Sequence, residues 1–273
     1  MTLPDFLRPP PLVHVLRLSG VIGGQTGPFH TGLSLSSLAG LIERAFQPKR
    51  LAAVALAINS PGGSPVQSSL ICQRIRALAE EKNVPVIAFA EDVAASGGYW
   101  LALAADEVFV DENSIIGSIG VVAAGFGFQE LIERWGIERR VYTQGSRKAM
   151  LDPFRPENPD DVARVHELQA DIHESFKALV RRRRAGKLTA PEEQLFNGDV
   201  WTGRRAVELG LVDGIGELRQ VMRARFGAKV RLRAVGAQKS WLRRQLRIAD
   251  PNAWAEAVLD AVEQRALWRR FGG

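Results

Sequence analysis

The sequence predicts an α/β fold, layered, with a parallel sheet and flanking helices, and three observations predict it. Leu51 to Ile58 (LAAVALAI) is a nearly continuous apolar run, the pattern of a strand buried on both faces. Val84 to Ala90 is a second such run. Between them, Pro65 to Lys82 is apolar at helical spacing through Ile71, Ile75 and Leu78, so strand, helix and strand alternate as in a parallel unit.

The other elements follow in order. Met1 to Pro11 is polar and proline-rich and reads as a flexible leader to the strand Leu12 to Leu18, whose residues alternate. Gly20, Gly23 and Gly24 mark a loop, and Leu33 to Phe46 carries a helical pattern. Ser96 lies beyond the Val84 to Ala90 run, opening a helix that continues through Leu101, Leu103 and Ala104. Glu107 to Val110 and Gly120 to Ala124 extend the alternation as strands. A long charged helix is expected from Asp160 to Arg184, a second helix within Phe196 to Asp213, and a strand at Val230 to Val235. Asp250 to Phe271 reads as an amphipathic helix bearing Trp254, Leu259 and Trp268 on one stripe. With 273 residues, 46% of them hydrophobic, and no compositional break, the expected organisation is one elaborated domain over 12–235, an N-terminal segment 1–11 and a helical extension 236–273.

Composition excludes several classes. The net charge is +6, and only seven of the 36 basic residues are lysine. The basic charge gathers at Arg181 to Arg184 and in the C-terminal third without a nucleic-acid motif, so nucleic acid is not an expected partner. A lone cysteine, Cys72, rules out an intrachain disulfide and fits a reducing compartment, with packing as its role. No stretch has the ~20 apolar residues of a membrane span, and the N-terminus has no signal-peptide run. No metal or cofactor is expected: Gly117, Gly120, Gly125 and Gly127 are closely spaced but lack the strand-turn-helix context and acidic partner of a dinucleotide site.

Two glycine pairs stand at strand ends, where open α/β sheets place their ligand sites. One is Asn59-Ser60-Pro61-Gly62-Gly63-Ser64 and the other Ala95-Ser96-Gly97-Gly98-Tyr99. Alone, the first reads as a turn and the second as a helix cap. Together they look like a serine nucleophile facing main-chain N–H donors, which acyl transfer needs where the oxyanion develops.

A serine hydroxyl needs a neighbour to take its proton. None of the four histidines (His14, His30, His166, His173) falls between Asn59 and Lys148. Lys148 does stand in a suggestive context, Gly145-Ser146-Arg147-Lys148-Ala149-Met150-Leu151-Asp152-Pro153-Phe154. A lysine acts as a base at neutral pH only if its environment lowers a pKa of about 10.4 by about 3 units. Apolar neighbours such as Met150, Leu151 and Phe154 would supply that when substrate or another subunit covers them; the alternative is a solvated side chain.

These motifs, together with Ile116-Gly117-Ser118-Ile119-Gly120-Val121 and Phe196 to Asp213, resemble the signal peptide peptidase A family of serine peptidases, S49, over roughly Leu12 to Phe226. The resemblance implies a crotonase-like, ClpP-related fold and a Ser-Lys dyad. Ser96 would be the nucleophile, Lys148 the general base, Gly63 and Gly97 the oxyanion donors, and Ser118 a supporting hydroxyl that orients Lys148. It implies cleavage of signal-peptide remnants and other short hydrophobic or unfolded peptides through an acyl-enzyme. It also implies a homo-oligomer with Ser and Lys meeting at subunit interfaces.

Unlike many members, this sequence shows no N-terminal membrane anchor. It is expected to be cytoplasmic, or peripheral at the inner membrane through its basic surface. The C-terminal helix would then lie on an anionic membrane surface, or else pack on the domain or a neighbouring subunit. Three rival readings remain: a crotonase-like acyl-CoA enzyme, weakened because no glutamate follows the Ser96 glycines before Glu107; a ClpP-type Ser-His-Asp peptidase, weakened by the absent histidine; and a non-catalytic scaffold of the same fold.

Overall fold

The computed structural model describes residues 9–23, 32–145 and 147–236, together with Trp268, Arg269 and Phe271. The expected helix Asp250 to Phe271 therefore lies, apart from three residues, outside the described residues, as does His30. The chain divides into two compact units, one of residues 1–119 and 179–273 and the other Gly120–Ala178.

The first unit is built on a sheet. Its strands are β1 (Leu12–Ser19), β2 (Leu51–Ser60), β3 (Val86–Ala95), β4 (Glu107–Val110), β5 (Ile115–Gly117), β6 (Val200–Thr202), β7 (Gly214–Ile215) and β8 (Arg231–Ala234). The order is β6-β5-β3-β2-β1-β8, with β4 joining β3 to β7. Every pairing is parallel except β5 with β6, so the expected α/β class with a largely parallel sheet is what the chain adopts. Four consecutive residues of β2, Ala53 to Leu56, are fully buried, the consequence of covering both faces of the sheet.

Helices α1 (Leu35–Phe46) and α2 (Pro65–Lys82) pack on one another, with α1 against β1 and β2. Ser34 caps α1 through a hydrogen bond from the Ser37 N–H, and Ser64 caps α2, with Pro65 at its first position where a missing N–H costs nothing. α2 ends at Asn83, whose left-handed conformation (φ 49) closes the turn. α3 (Gly97–Ala102) follows Ser96, α6 (Glu192–Leu195) and α7 (Gly203–Glu208) flank β6, and α8 (Leu218–Phe226) lies against β2. Met222 of α8 is fully buried among Val13, Ala53, Ala55, Ile87 and Phe89.

The second unit contains α4 (Gln129–Arg134) and most of α5 (Pro159–Arg183). No residue of α4 is buried. Among the described residues no helix is long and apolar enough to cross a membrane.

Three sequence expectations need correction. Gly120 to Ala124 is not a strand; the strand is β5, a few residues earlier, because Ile116 and Gly117 pair with both β3 and β6. β3 runs on to Ala95 instead of stopping at Ala90, since it is paired by β4 through Ile87 to Ala90 and then by β5 through Val93 to Ala95. The helix α8 was not anticipated.

The arginine run is folded inward. The Arg181 guanidinium donates to Glu192, Arg183 to the carbonyls of Leu103 and Ala105, and Arg184 to the Gly210 carbonyl and Asp213. These residues close the end of α5 onto the first unit's loops. Cys72 is buried, and burial pushes its thiol up to about 11, so packing is its role here.

Candidate active site

Ser96 sits between β3 and α3, half-buried, with φ 52 and ψ −122. That conformation belongs to glycine in a tight turn, and a side chain there carries strain. A neighbouring strand and the helix that follows hold it there. The Ser96 N–H donates to the Gly117 carbonyl of β5 at 2.8 Å, while the Ser96 carbonyl accepts from the Trp100 N–H at 3.0 Å to start α3. The hydroxyl makes no hydrogen bond within the described residues, and no side-chain cap bond forms at this helix start.

The other glycine turn comes directly against it. A Cβ built on Gly62 would lie 2.7 Å from the Ser96 Cβ and 2.9 Å from the Gly97 nitrogen, so only glycine lets the two loops approach this closely. Gly62 also has φ +107. Its carbonyl accepts from the Ile22 N–H, and the Ile22 carbonyl accepts from the Ser64 N–H, each at 2.8 Å. A Cβ on Gly63 would collide with the Ile22 carbonyl oxygen. Ile22 thus ties up the polar groups on either side of Gly63. Among the described residues no acceptor faces the N–H of Gly63 or that of Gly97, the first residue of α3. Two main-chain donors are therefore free in the glycine turns that meet at Ser96.

Ser118 follows β5 directly, with φ 52, its N–H given to the Asp199 carbonyl at 2.7 Å. Ala95 pairs with Gly117 in the register, so Ser96 and Ser118 leave neighbouring strands at the same level. The structure brings Ser96, Gly63, Gly97 and Ser118 to one end of the sheet. Lys148 belongs to the second unit, exposed in a turn where its N–H donates to the Gly145 carbonyl. Of the histidines, His166 is exposed and His173 half-buried, both on α5, and His14 is buried in β1.

Sequence reasoning missed the residues that aim the end of β3. Asn59 donates to Asp92 at 2.6 Å and accepts from the Val93 N–H at 3.3 Å, across the irregularity in the β2–β3 register between Ile58 and Ser60. The buried Ser114 hydroxyl donates to the Glu91 carbonyl at 2.5 Å. The signal was present as polar residues interrupting apolar strands, Asn59-Ser60 in one and Glu91-Asp92 in the other.

A family model for "Peptidase family S49" matches residues 78–231. The chain is 47% identical over 271 residues to the protein named Na(+)/H(+) antiporter NhaA of Brucella abortus (strain 2308), covering 95% of this chain and 37% of that protein. It is 33% identical to the chloroplastic serine protease SPPA of Arabidopsis thaliana, over 76% of this chain and 31% of the relative. The chain thus spans about a third of the length of these relatives. A solved structure of the 1510-N membrane-bound stomatin-specific protease, in mutant form, superposes with a TM-score of 0.52 at 16% identity, covering 84% of this chain and all of that one; likeness at this identity concerns the fold alone. With the match running from within α2 to the first residue of β8 and so taking in Ser96, Gly97 and all of β5, the chain belongs to peptidase family S49.

Proposed function

We propose that this chain is a serine endopeptidase that uses Ser96 as nucleophile and Lys148 as general base, within a domain over 12–235. The observation that carries the reading is Ser96 itself, held at a strained φ with its hydroxyl unengaged, where two glycine turns leave N–H groups without acceptors.

In the reaction, the Ser96 Oγ bonds to the peptide carbonyl carbon as its proton passes to the Lys148 amine. The oxyanion accepts from the N–H groups of Gly63 and Gly97. As the C–N bond breaks, Lys148 returns the proton to the leaving amine, giving an acyl-enzyme. Water attacks that ester, its proton passing through Lys148 to the Ser96 oxygen, and the acid product leaves. The Ser118 hydroxyl orients the amine. Substrates are signal-peptide remnants and other short hydrophobic or unfolded peptides.

A homo-oligomer sharing the site between subunits is part of the proposal, and the second unit supports it. That unit leaves Phe126 81%, Trp135 76% and Tyr142 90% exposed, a surface of the kind that partners cover. The proposed location is the cytoplasm or the inner face of a membrane. The antiporter name of the Brucella relative belongs to a protein of which this chain matches 37%, and the described residues contain no spanning helix, so transport is not proposed for this segment.

The test is hydrolysis of a quenched hydrophobic peptide against pH by wild type, Ser96→Ala and Lys148→Ala. Both variants should lose at least a thousandfold in kcat/KM. Mixing the two inactive chains should restore part of the activity through sites that pair an intact serine with an intact lysine. Full activity in either variant refutes the dyad, and no recovery after confirmed subunit exchange refutes the shared site.

A further inference from the structure

Gly63 and Gly97 stand on different loops, and one residue touches both. Ile22 lies just beyond β1, well before either glycine pair in the chain, and is 1% exposed. Its main chain forms a parallel bridge with Gly63 on one side and with Leu33 on the other. In the first bridge the Ile22 N–H donates to the Gly62 carbonyl and the Ile22 carbonyl accepts from the Ser64 N–H, each at 2.8 Å. The Gly62–Gly63 peptide is trans, and a trans peptide points its C=O and N–H in opposite directions. The Gly62 carbonyl, turned toward Ile22, therefore sends the Gly63 N–H the other way. Gly63, at φ +137 and without a Cβ, has no side chain to hold that direction, so the contact with Ile22 must.

The side chain makes the second contact. A Cβ built on Gly97 would lie 3.1 Å from the Ile22 Cδ1 and would collide with the Ser68 Oγ. Ser68 is fully buried, and its hydroxyl donates to the Ser64 carbonyl at 2.8 Å. Gly97 is thus seated between a methyl group of Ile22 and the hydroxyl of Ser68. The same isoleucine that turns the Gly63 peptide also fixes where Gly97 rests.

We propose that Ile22 is a positioning residue for the oxyanion donors: its main chain aims the Gly63 N–H, and its Cδ1, packed on Gly97, sets the gap between the two donors. This role rests on the reading of Ser96 as nucleophile with Gly63 and Gly97 as its donors. A donor matters most once the carbonyl oxygen has gained charge, so a misdirected N–H lowers kcat and leaves substrate binding nearly as it was. Ordinary core packing behaves differently. Losing it lowers the melting temperature and leaves the turnover of each folded chain alone.

The experiment measures kcat and KM on a quenched hydrophobic peptide, inhibition by a peptide aldehyde whose serine adduct carries the same oxyanion, and thermal melting, all on the full chain. Two changes separate the two contacts. Ile22→Val removes the Cδ1 and keeps the main chain. Replacing Ile22 by its α-hydroxy acid through nonsense suppression turns its N–H into an ester oxygen and keeps the side chain. Ile42→Val is the first control, a fully buried isoleucine of α1 that loses the same methyl. The α-hydroxy acid at Leu33 is the second: it removes the N–H that donates to the Val21 carbonyl at 2.9 Å, and so also accounts for the poorer acceptor that an ester at position 22 leaves there. Ile22→Val should lower kcat at least threefold and the ester at least tenfold, each with KM within twofold and aldehyde inhibition weakened in step. The controls should keep kcat within twofold even where their melting temperatures fall as far. The proposal is overturned if either change at Ile22 leaves kcat of the folded protein within twofold of wild type, if KM moves in its place, or if the controls lose as much. Ser96→Ala keeps the two readings apart. An active Ser96→Ala would remove the nucleophile and the positioning role with it, whereas an inactive one beside normal turnover in both Ile22 changes would remove the positioning role alone.

Discussion

Replacing Ser96 by glycine should make the protein more stable while destroying the proposed peptidase activity. Ser96 has φ 52 and ψ −122, close to the first central position of a type II′ turn, where glycine is the favoured residue. Holding a side chain there costs of order 1–3 kcal/mol, and removing the Cβ releases that cost. Glycine's larger entropy in the unfolded chain takes back about 0.5–1 kcal/mol, leaving a net gain of roughly 0.5–2 kcal/mol. The hydroxyl makes no hydrogen bond within the described residues, so its loss subtracts little. For a chain of this size the gain corresponds to about 1–6 °C in melting temperature. The control is Ser96→Ala, which loses the same hydroxyl but keeps a Cβ at the same φ and should melt within about 1 °C of wild type. Thermal melts of the three proteins, with guanidinium titrations to check that the slope is unchanged, make the comparison. If Ser96→Gly melts at or below Ser96→Ala, the backbone at Ser96 is not strained, and the reasoning that links its conformation to a nucleophile's role fails.

Two further substitutions probe the scaffold around that serine. Gly62→Ala would put a methyl group 2.7 Å from the Ser96 Cβ and 3.0 Å from the Ala95 carbonyl oxygen at φ +107, so peptidase kcat/KM should fall at least 100-fold, with a loss of about 2 kcal/mol or more in a denaturant titration. Asp213→Asn removes the counter-charge of Arg184, which is 3% exposed and bonds to Asp213 at 2.7 Å; leaving that charge buried should cost about 3–5 kcal/mol. Burial alone would push the Asp213 carboxyl up, but the hydrogen bonds from Arg184, Lys187 and the Val108 N–H outweigh it and the net pKa is lowered. Its contribution is therefore complete above the unfolded value of 3.8 and lost as pH falls below that through the folded value, so wild type should destabilise more steeply than Asp213→Asn below about pH 4.

The central strands and helices were legible because burial on both faces writes itself into sequence as unbroken apolar runs, as in β2 and the first half of β3. Short elements left weaker marks. β5 has three residues and owes its existence to pairing partners on two sides, β3 from nearby and β6 from over eighty residues away, so no local pattern announces it. α8 has a single fully buried residue, Met222, and its short pattern of charges and apolar residues gains meaning only from the sheet face it covers. At the site, the glycine pairs and Ser96 were readable because turn chemistry is local. The positive φ of Ser96, the paired position of Ser118 and the Asn59–Asp92 clasp arise from strands packed side by side, and these became visible only with the fold.

The proposed base places a demand on its surroundings. An amine takes a proton from serine near neutral pH only after its charged form has been desolvated, and Lys148 stands exposed in a turn next to the exposed Leu151. The unit that holds it also leaves Val122, Phe126, Leu131, Trp135, Ile137 and Tyr142 in water, and α4 buries nothing. Covering this apolar surface and drying the lysine are, under the proposal, one event, subunit assembly. Specific activity should then fall on dilution, in step with the loss of oligomer measured by light scattering or sedimentation, and should recover on reconcentration. An enzyme whose activity per chain stays constant while its mass falls to that of a monomer would show that the lysine is dried without a partner, and would end the assembly argument while leaving the serine in place.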